Sequence, residues 1–176
     1  MMKKLGVIAL CLLLDAGAVG AGGAGESGEG SEAGACALLE AAEVEAVQGG
    51  RVVAARPARV TRGPLAVAQC HYAVTAADRP GQNLAVLVEV RTGAPAELAA
   101  EWEKLGAKKE NKRSERPRPV AGVGREAYWV GNDRLGALYV LAGDRLVYVS
   151  LGGPGGEAGE KVEKSKRLAL KALARL

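Results

Sequence analysis

Two cysteines, Cys36 and Cys70, restrict the folds open to this chain more than any other feature. A third, Cys11, sits in a segment built like an export signal. Lys3 and Lys4 are followed by an apolar run from Leu5 to Leu14, and then by small residues after Asp15. Ala16 with Ala18, or Ala18 with Gly20, offers a small-x-small cleavage site, so the cut falls between Ala18 and about residue 25. Residues 1–21 are therefore read as a signal peptide, and the expected location is periplasmic or extracellular. Removing the signal discards Cys11 and leaves an even pair in an oxidising compartment, where Cys36 and Cys70 are expected to bond. Their spacing of 34 residues closes a loop, for which the chain-entropy argument gives roughly 3–4 kcal/mol. In the cytosol the same two residues would be buried thiols. Two other attachments compete with cleavage. A retained anchor would need about 20 apolar residues, and the run here ends at Asp15. Lipidation would need small residues ahead of a cysteine at the end of the apolar run. Cys11 follows Leu10, and Cys36 lies more than twenty residues beyond that run.

A length of 176 residues favours one domain, and 25% charged with 48% hydrophobic residues is ordinary globular usage. The net charge of +4 falls to +3 once Lys3, Lys4 and Asp15 leave, too mild to imply nucleic acid. Residues 22–34, rich in Gly, Ala, Ser and Glu, have nothing to bury and read as a linker. Residues 35–176 form the domain. A helix is expected from Ala35 to Val47, stopped by Gly49-Gly50. Arg51 to Val60 is ambiguous, because Pro57 limits any strand there to an edge or a short piece. Ala66 to Thr75 alternates, with Cys70 and Tyr72 inward and His71 outward. Leu84 to Arg91 does the same, with Val86, Val88 and Val90 inward against Glu89 and Arg91 outward. Leu98, Trp102 and Leu105 set a second helix from Pro95 to about Gly106. Lys108 to Pro119 holds six basic and two acidic side chains and reads as a solvated loop.

Three strands follow, Arg125 to Val130, Leu135 to Ala142 and Arg145 to Leu151. A two-residue Gly143-Asp144 loop sets Tyr139 opposite Tyr148. A two-residue Asn132-Asp133 loop would set Tyr128 opposite Ala137 and Trp129 opposite Gly136. Tyr128, Tyr139 and Tyr148 then share one face and Trp129, Leu138 and Val140 the other. The last twenty residues form an amphipathic helix, with Val162, Ala169, Ala172, Leu173 and Leu176 on its apolar stripe. The expected fold class is α+β: an antiparallel sheet of five or six strands packed against about three helices, with one disulfide.

Few residues point to catalysis. Gly23-Ala-Gly25-Glu-Ser-Gly28 matches a dinucleotide fingerprint, but no strand precedes it in this glycine-rich tract, and Gly122-Val-Gly124 leads into a strand rather than a helix. One histidine and two paired cysteines cannot supply a zinc site, so no metal, cofactor or catalytic residue is assigned. Glu43, Glu45, Glu101 and Glu103 read as solvated helix faces, and no Gly-x-Ser-x-Gly elbow is present. The chain leans away from being an enzyme. The candidate ligand-binding face is that of Tyr128, Tyr139 and Tyr148, whose rings carry apolar area and a polar handle.

Cys36-Ala-Leu38-Leu39 with Glu43-Val44, Cys70-His-Tyr72, and Gly122-Val-Gly124 followed by Tyr128-Trp129 and Gly143-Asp144 together resemble an uncharacterised family of bacterial secreted proteins and lipoproteins. The resemblance spans residues 36 to 176 and implies a disulfide in a compact α+β domain at the cell envelope. It supplies no activity. The functional expectation is a non-catalytic module that binds a small molecule or an envelope protein, with no nucleic-acid partner. The alternatives are a carboxylate-dependent hydrolase or transferase, and an accessory subunit of an envelope complex.

Overall fold

Strictly alternating side chains on successive segments can bury one face of each only by pairing into a sheet. In the computed structural model, which describes residues 34–77, 83–106, 116–132, 134–153 and 157–176, the pairing is antiparallel throughout. Strands β1 (Gly50–Arg62), β2 (Leu65–Ala76), β3 (Asn83–Thr92), β4 (Arg118–Pro119), β5 (Glu126–Gly131), β6 (Leu135–Ala142) and β7 (Arg145–Gly152) form one seven-stranded sheet in the order β1-β2-β3-β7-β6-β5-β4. Three α-helices accompany it: α1 (Ala41–Gln48), α2 (Pro95–Gly106) and α3 (Ala158–Leu173).

The α+β class and antiparallel sheet agree with expectation, but the strand count is seven rather than five or six. Two segments account for the difference. The stretch around Pro57 is a 13-residue strand at the sheet edge, where a missing N–H costs no ladder bond on the open side. Arg118 and Pro119, expected in a loop, pair with Trp129 and Tyr128 at the opposite edge.

One face of the sheet carries the main core. Cys70, Tyr72, Val88, Trp129, Leu138 and Val149 are buried there against Val44 of α1 and Leu168, Ala169 and Ala172 of α3. The first helix is not continuous. Gly34–Leu38 is a 3-10 turn, and α1 starts only after Glu40, which is extended at φ −76° and ψ 149°. Side chains claim the carbonyls that a continuous helix would use. The Tyr72 hydroxyl donates to the Leu39 oxygen at 2.8 Å and lies 3.3 Å from that of Cys36, while Arg175 donates to Leu38 at 3.0 Å. The Cys36–Cys70 disulfide pins the same turn to β2. Gly49, at φ 73°, ends α1 as the sequence predicts.

On α3 the buried stripe is Lys161, Ser165, Leu168, Ala169 and Ala172. Val162 and Leu173 are half-buried against the core, and Leu176 is exposed, contrary to expectation. Lys161 is accommodated because its ammonium donates to the carbonyls of Arg134 at 2.7 Å and Gly153 at 2.9 Å. The end of α3 is tied to α1 by Arg175, which bonds the carboxylate of Glu43 at 2.7 Å and that of Glu40 at 3.1 Å.

The β6–β7 register is as expected, with Tyr139 opposite Tyr148, but Tyr128 faces Tyr139 rather than Ala137, and Trp129 faces Leu138 rather than Gly136. The β5–β6 turn is longer than two residues. The Asn132 side-chain oxygen accepts the N–H groups of Arg134 and Leu135 at 2.9 and 3.1 Å, leaving Gly131 opposite Gly136. A slip of two preserves the faces, so the tyrosines stay together. The Trp129 indole occupies the space beside Gly136, where an added Cβ would come within 1.9 Å of the ring.

Replacing both Cys36 and Cys70 by alanine is expected to lower the unfolding free energy by about 3 kcal/mol in urea titrations. A loss below about 1 kcal/mol would show that Tyr72 and the surrounding packing hold the turn without the bond.

Candidate functional site

Among the described residues, one helix covers the face opposite the main core. Leu98, Trp102 and Leu105 of α2 pack on Leu65, Leu141 and Leu146, with Tyr128 and Tyr139 at the margin of that cluster. The three tyrosines lie in a single register row, Tyr128 on β5, Tyr139 on β6 and Tyr148 on β7, and the row continues through Glu89 on β3 and Gln69 on β2. All three are half-buried. The Tyr139 and Tyr148 rings meet edge-on at 4.9 Å, and Trp102 sits 5.3 Å from Tyr128 while its indole N–H donates to Glu126 at 3.1 Å. The tyrosine face is thus neither open nor fully roofed. Among the described residues, none accepts a hydrogen bond from a hydroxyl of the three tyrosines.

Beside the tyrosines lies a buried charge network that sequence reasoning placed in solvent. Glu89 is 1% exposed and Arg91 7% exposed. The Glu89 carboxylate accepts from the Gln69 amide and from Arg91 Nε, both at 2.5 Å, and Arg62 approaches it to 3.8 Å. Arg91 Nη1 then donates to Glu101 of α2 at 2.6 Å. A charge removed from water at this depth is tolerated only when paired and hydrogen-bonded. Here one guanidinium serves two carboxylates, on strand and helix, and so fixes how α2 lies on the sheet. His71 is exposed as expected, its Nε2 3.4 Å from the Gln69 side-chain oxygen. The signal available in the sequence was Glu89-Val-Arg91 itself, opposite charges two apart inside a valine-rich strand, which places them on one face as neighbours.

The low dielectric of this face also reaches the phenols. Burial, then the neighbouring Tyr148 ring, pushes the Tyr139 hydroxyl up to about 12. Elsewhere, the Arg175 guanidinium bonded to Glu43 brings that carboxyl down to about 2. Glu43 and Glu45 are therefore structural: Glu43 is bound to Arg175 and Lys171, and Glu45 accepts the Val52 N–H at 2.9 Å.

The remaining motifs fall into place as architecture. Gly122 and Gly124 have φ of 75° and 59°, and a Cβ on Gly124 would meet Val140 at 2.3 Å, so this pair serves the close turn into β5. The expected signal peptide, the fingerprint at Gly23 to Gly28 and residues 108–115 of the basic run lie outside the described residues. Among the described residues no group of three or more His, Cys, Asp or Glu is placed to hold a metal ion, and no helix is long and apolar enough to cross a membrane. A groove of about 320 Å³ between α2, the start of β5 and the β6–β7 turn is lined by Trp102, Glu103, Arg125, Glu126 and Asp144, among others.

Arg91→Ala is expected to destabilise the domain by about 3–5 kcal/mol, because Glu89 would be left buried without its cation. Chemical denaturation measures this, and a loss under about 1 kcal/mol would mean that the network is solvated. Tyr139 should ionise near pH 12 by ultraviolet difference titration. Its neutral form is favoured by folding, so its contribution to stability is complete below about pH 10 and lost as pH rises from about 10 to about 12.

No family model matches the chain, and no curated protein matches it. Among solved structures, it is similar to the extracellular domain of PknH from Mycobacterium tuberculosis, at 14% identity and a TM-score of 0.46, over 80% of this chain and 95% of that one.

Proposed function

We propose that the chain is an exported module that binds a small molecule or a protein partner on the face of Tyr128, Tyr139 and Tyr148. The observation that carries this reading is the register row of three half-buried tyrosines running into the buried Glu89–Arg91 pair. It sets aromatic area, phenolic hydroxyls and fixed charge side by side, the mixture that dominates binding hot spots. Export is supported by the Cys36–Cys70 bond, since disulfides persist in oxidising compartments, and by the signal-like start of the sequence. Membership of the secreted envelope family that the cysteine and glycine motifs resemble belongs to the same proposal.

Binding is favoured over turnover because the two carboxylates that converge on this face, Glu89 and Glu101, both bond Arg91. Carboxylate oxygens already engaged by a guanidinium are poorly placed to reach a substrate proton. A hydrolase or transferase would instead have to use Glu103, Glu126 and Asp144, which line the groove beside α2. An accessory role in an envelope complex would use the tyrosine face as its contact.

Side-chain NMR of the tyrosines during titration with short peptides and oligosaccharides of the cell envelope tests the reading. At least one class is expected to shift Tyr139 and Tyr148, and Tyr148→Ala should weaken its binding about tenfold or more. Shifts confined to Glu103, Glu126 and Asp144 with product formation would replace binding by catalysis, and an unperturbed face would end the proposal.

A further inference from the structure

Helix α2 already uses part of what a ligand on the tyrosine face would use. Trp102 lies against Tyr128 with 5.3 Å between ring centroids. Tyr128 and Tyr139 border the apolar cluster that Leu98, Trp102 and Leu105 form with Leu65, Leu141 and Leu146. The contrast with the other face is sharp. There α3 sinks Leu168, Ala169 and Ala172 into the main core and is tied to α1 by Arg175.

Among the described residues two polar bonds hold α2 on the sheet, and water can take over both. Arg91 Nη1 donates to Glu101, whose side chain is 27% exposed, and the Trp102 indole donates to Glu126, whose side chain is 48% exposed. Lifting the helix would bring these groups into solvent instead of leaving them dry and unpaired, which is the costly outcome. Nor does Glu89 lose its cation. Arg91 reaches it through Nε, a different atom from the one that reaches the helix, and Gln69 bonds it as well. The strand network therefore survives without α2. The first turn of α2 is likewise closed by its own residues. The Glu97 carboxylate accepts the Ala94 N–H at 3.1 Å, and the Ala94 carbonyl accepts the N–H groups of Glu97 and Leu98. Gly93 joins β3 to this turn, and a Cβ there would come within 2.5 Å of the Leu65 side chain, so the seated helix closes down on a position that carries no side chain. Hinges are commonly a few such residues at the end of an element.

We propose that α2 is a lid whose seated position blocks the tyrosine face, with Trp102 standing on Tyr128 where a ligand would, so that a ligand binds by displacing the helix. This rests on the reading of Tyr128, Tyr139 and Tyr148 as the binding face. Apparent affinity is then the intrinsic affinity reduced by the fraction of molecules with α2 lifted. Loosening the Arg91–Glu101 clasp raises that fraction and tightens binding without adding a contact.

Hydrogen exchange read by mass spectrometry on the full chain, with and without Glu101→Gln, tests the lid. Amides of α2 are expected to exchange at least about 100-fold faster than those of β2 and β3, through local opening rather than global unfolding. Glu101→Gln should speed α2 about tenfold further and leave β2, β3 and α3 unchanged. A short peptide or oligosaccharide of the cell envelope that shifts Tyr139 and Tyr148 should bind the variant about fivefold or more tightly than the native chain, and should speed exchange in α2. Exchange of α2 no faster than that of β2 and β3, an equal acceleration of every element by Glu101→Gln, or a compound that protects α2 would overturn the proposal. Equal binding to both proteins would overturn the lid alone, whereas no binding to either would overturn the tyrosine reading itself.

Discussion

The three α-helices among the described residues cannot cover both faces of a seven-stranded sheet. Each helix is about 10 Å across, whereas seven strands span about 30 Å. Among the described residues the cover is divided unequally, with α1, α3 and the 3-10 turn on one face and α2 on the other. Much of the remaining structure follows from that shortage. Where cover is complete the strands carry valine, leucine and Trp129. Where it is partial they carry tyrosine, glutamine and a paired glutamate and arginine, side chains that can meet either a helix or water.

The same shortage explains why Glu89 and Arg91 are kept. A wholly apolar second face would present a large greasy surface beyond the reach of α2, with the association hazard this brings. A wholly charged one would give α2 nothing to rest on. Arg91 resolves the conflict by bonding Glu89 beneath it and Glu101 on the helix, so α2 is placed by geometry as well as by its apolar stripe.

What could be read from the sequence was whatever depends on local periodicity. The alternation in β2 and β3, the helical spacing of Leu98, Trp102 and Leu105, the glycine that ends α1 and the shared face of the three tyrosines were all legible, and the cysteine pairing followed from the even count left by a signal-like start. What depends on distant partners was not. The break before Glu40 is set by Tyr72 and Arg175, far along the chain. The two-residue slip between β5 and β6 is set by the Asn132 side chain. The burial of Glu89 and Arg91 requires knowing where α2 lands. Of the candidate site, the aromatic half was therefore visible in advance and the ionic half was not.

The seam between α1 and α3 bears on the order of assembly. Arg175 and Glu43 are 132 residues apart in sequence, and contacts of such separation form late because the intervening chain must first be ordered. Cys36 and Cys70, only 34 apart, close a far shorter loop and can meet before that seam forms. Their bond can thus staple the opening turn to β2 while the later strands are still unpaired. The final helix then docks against a turn already held in place.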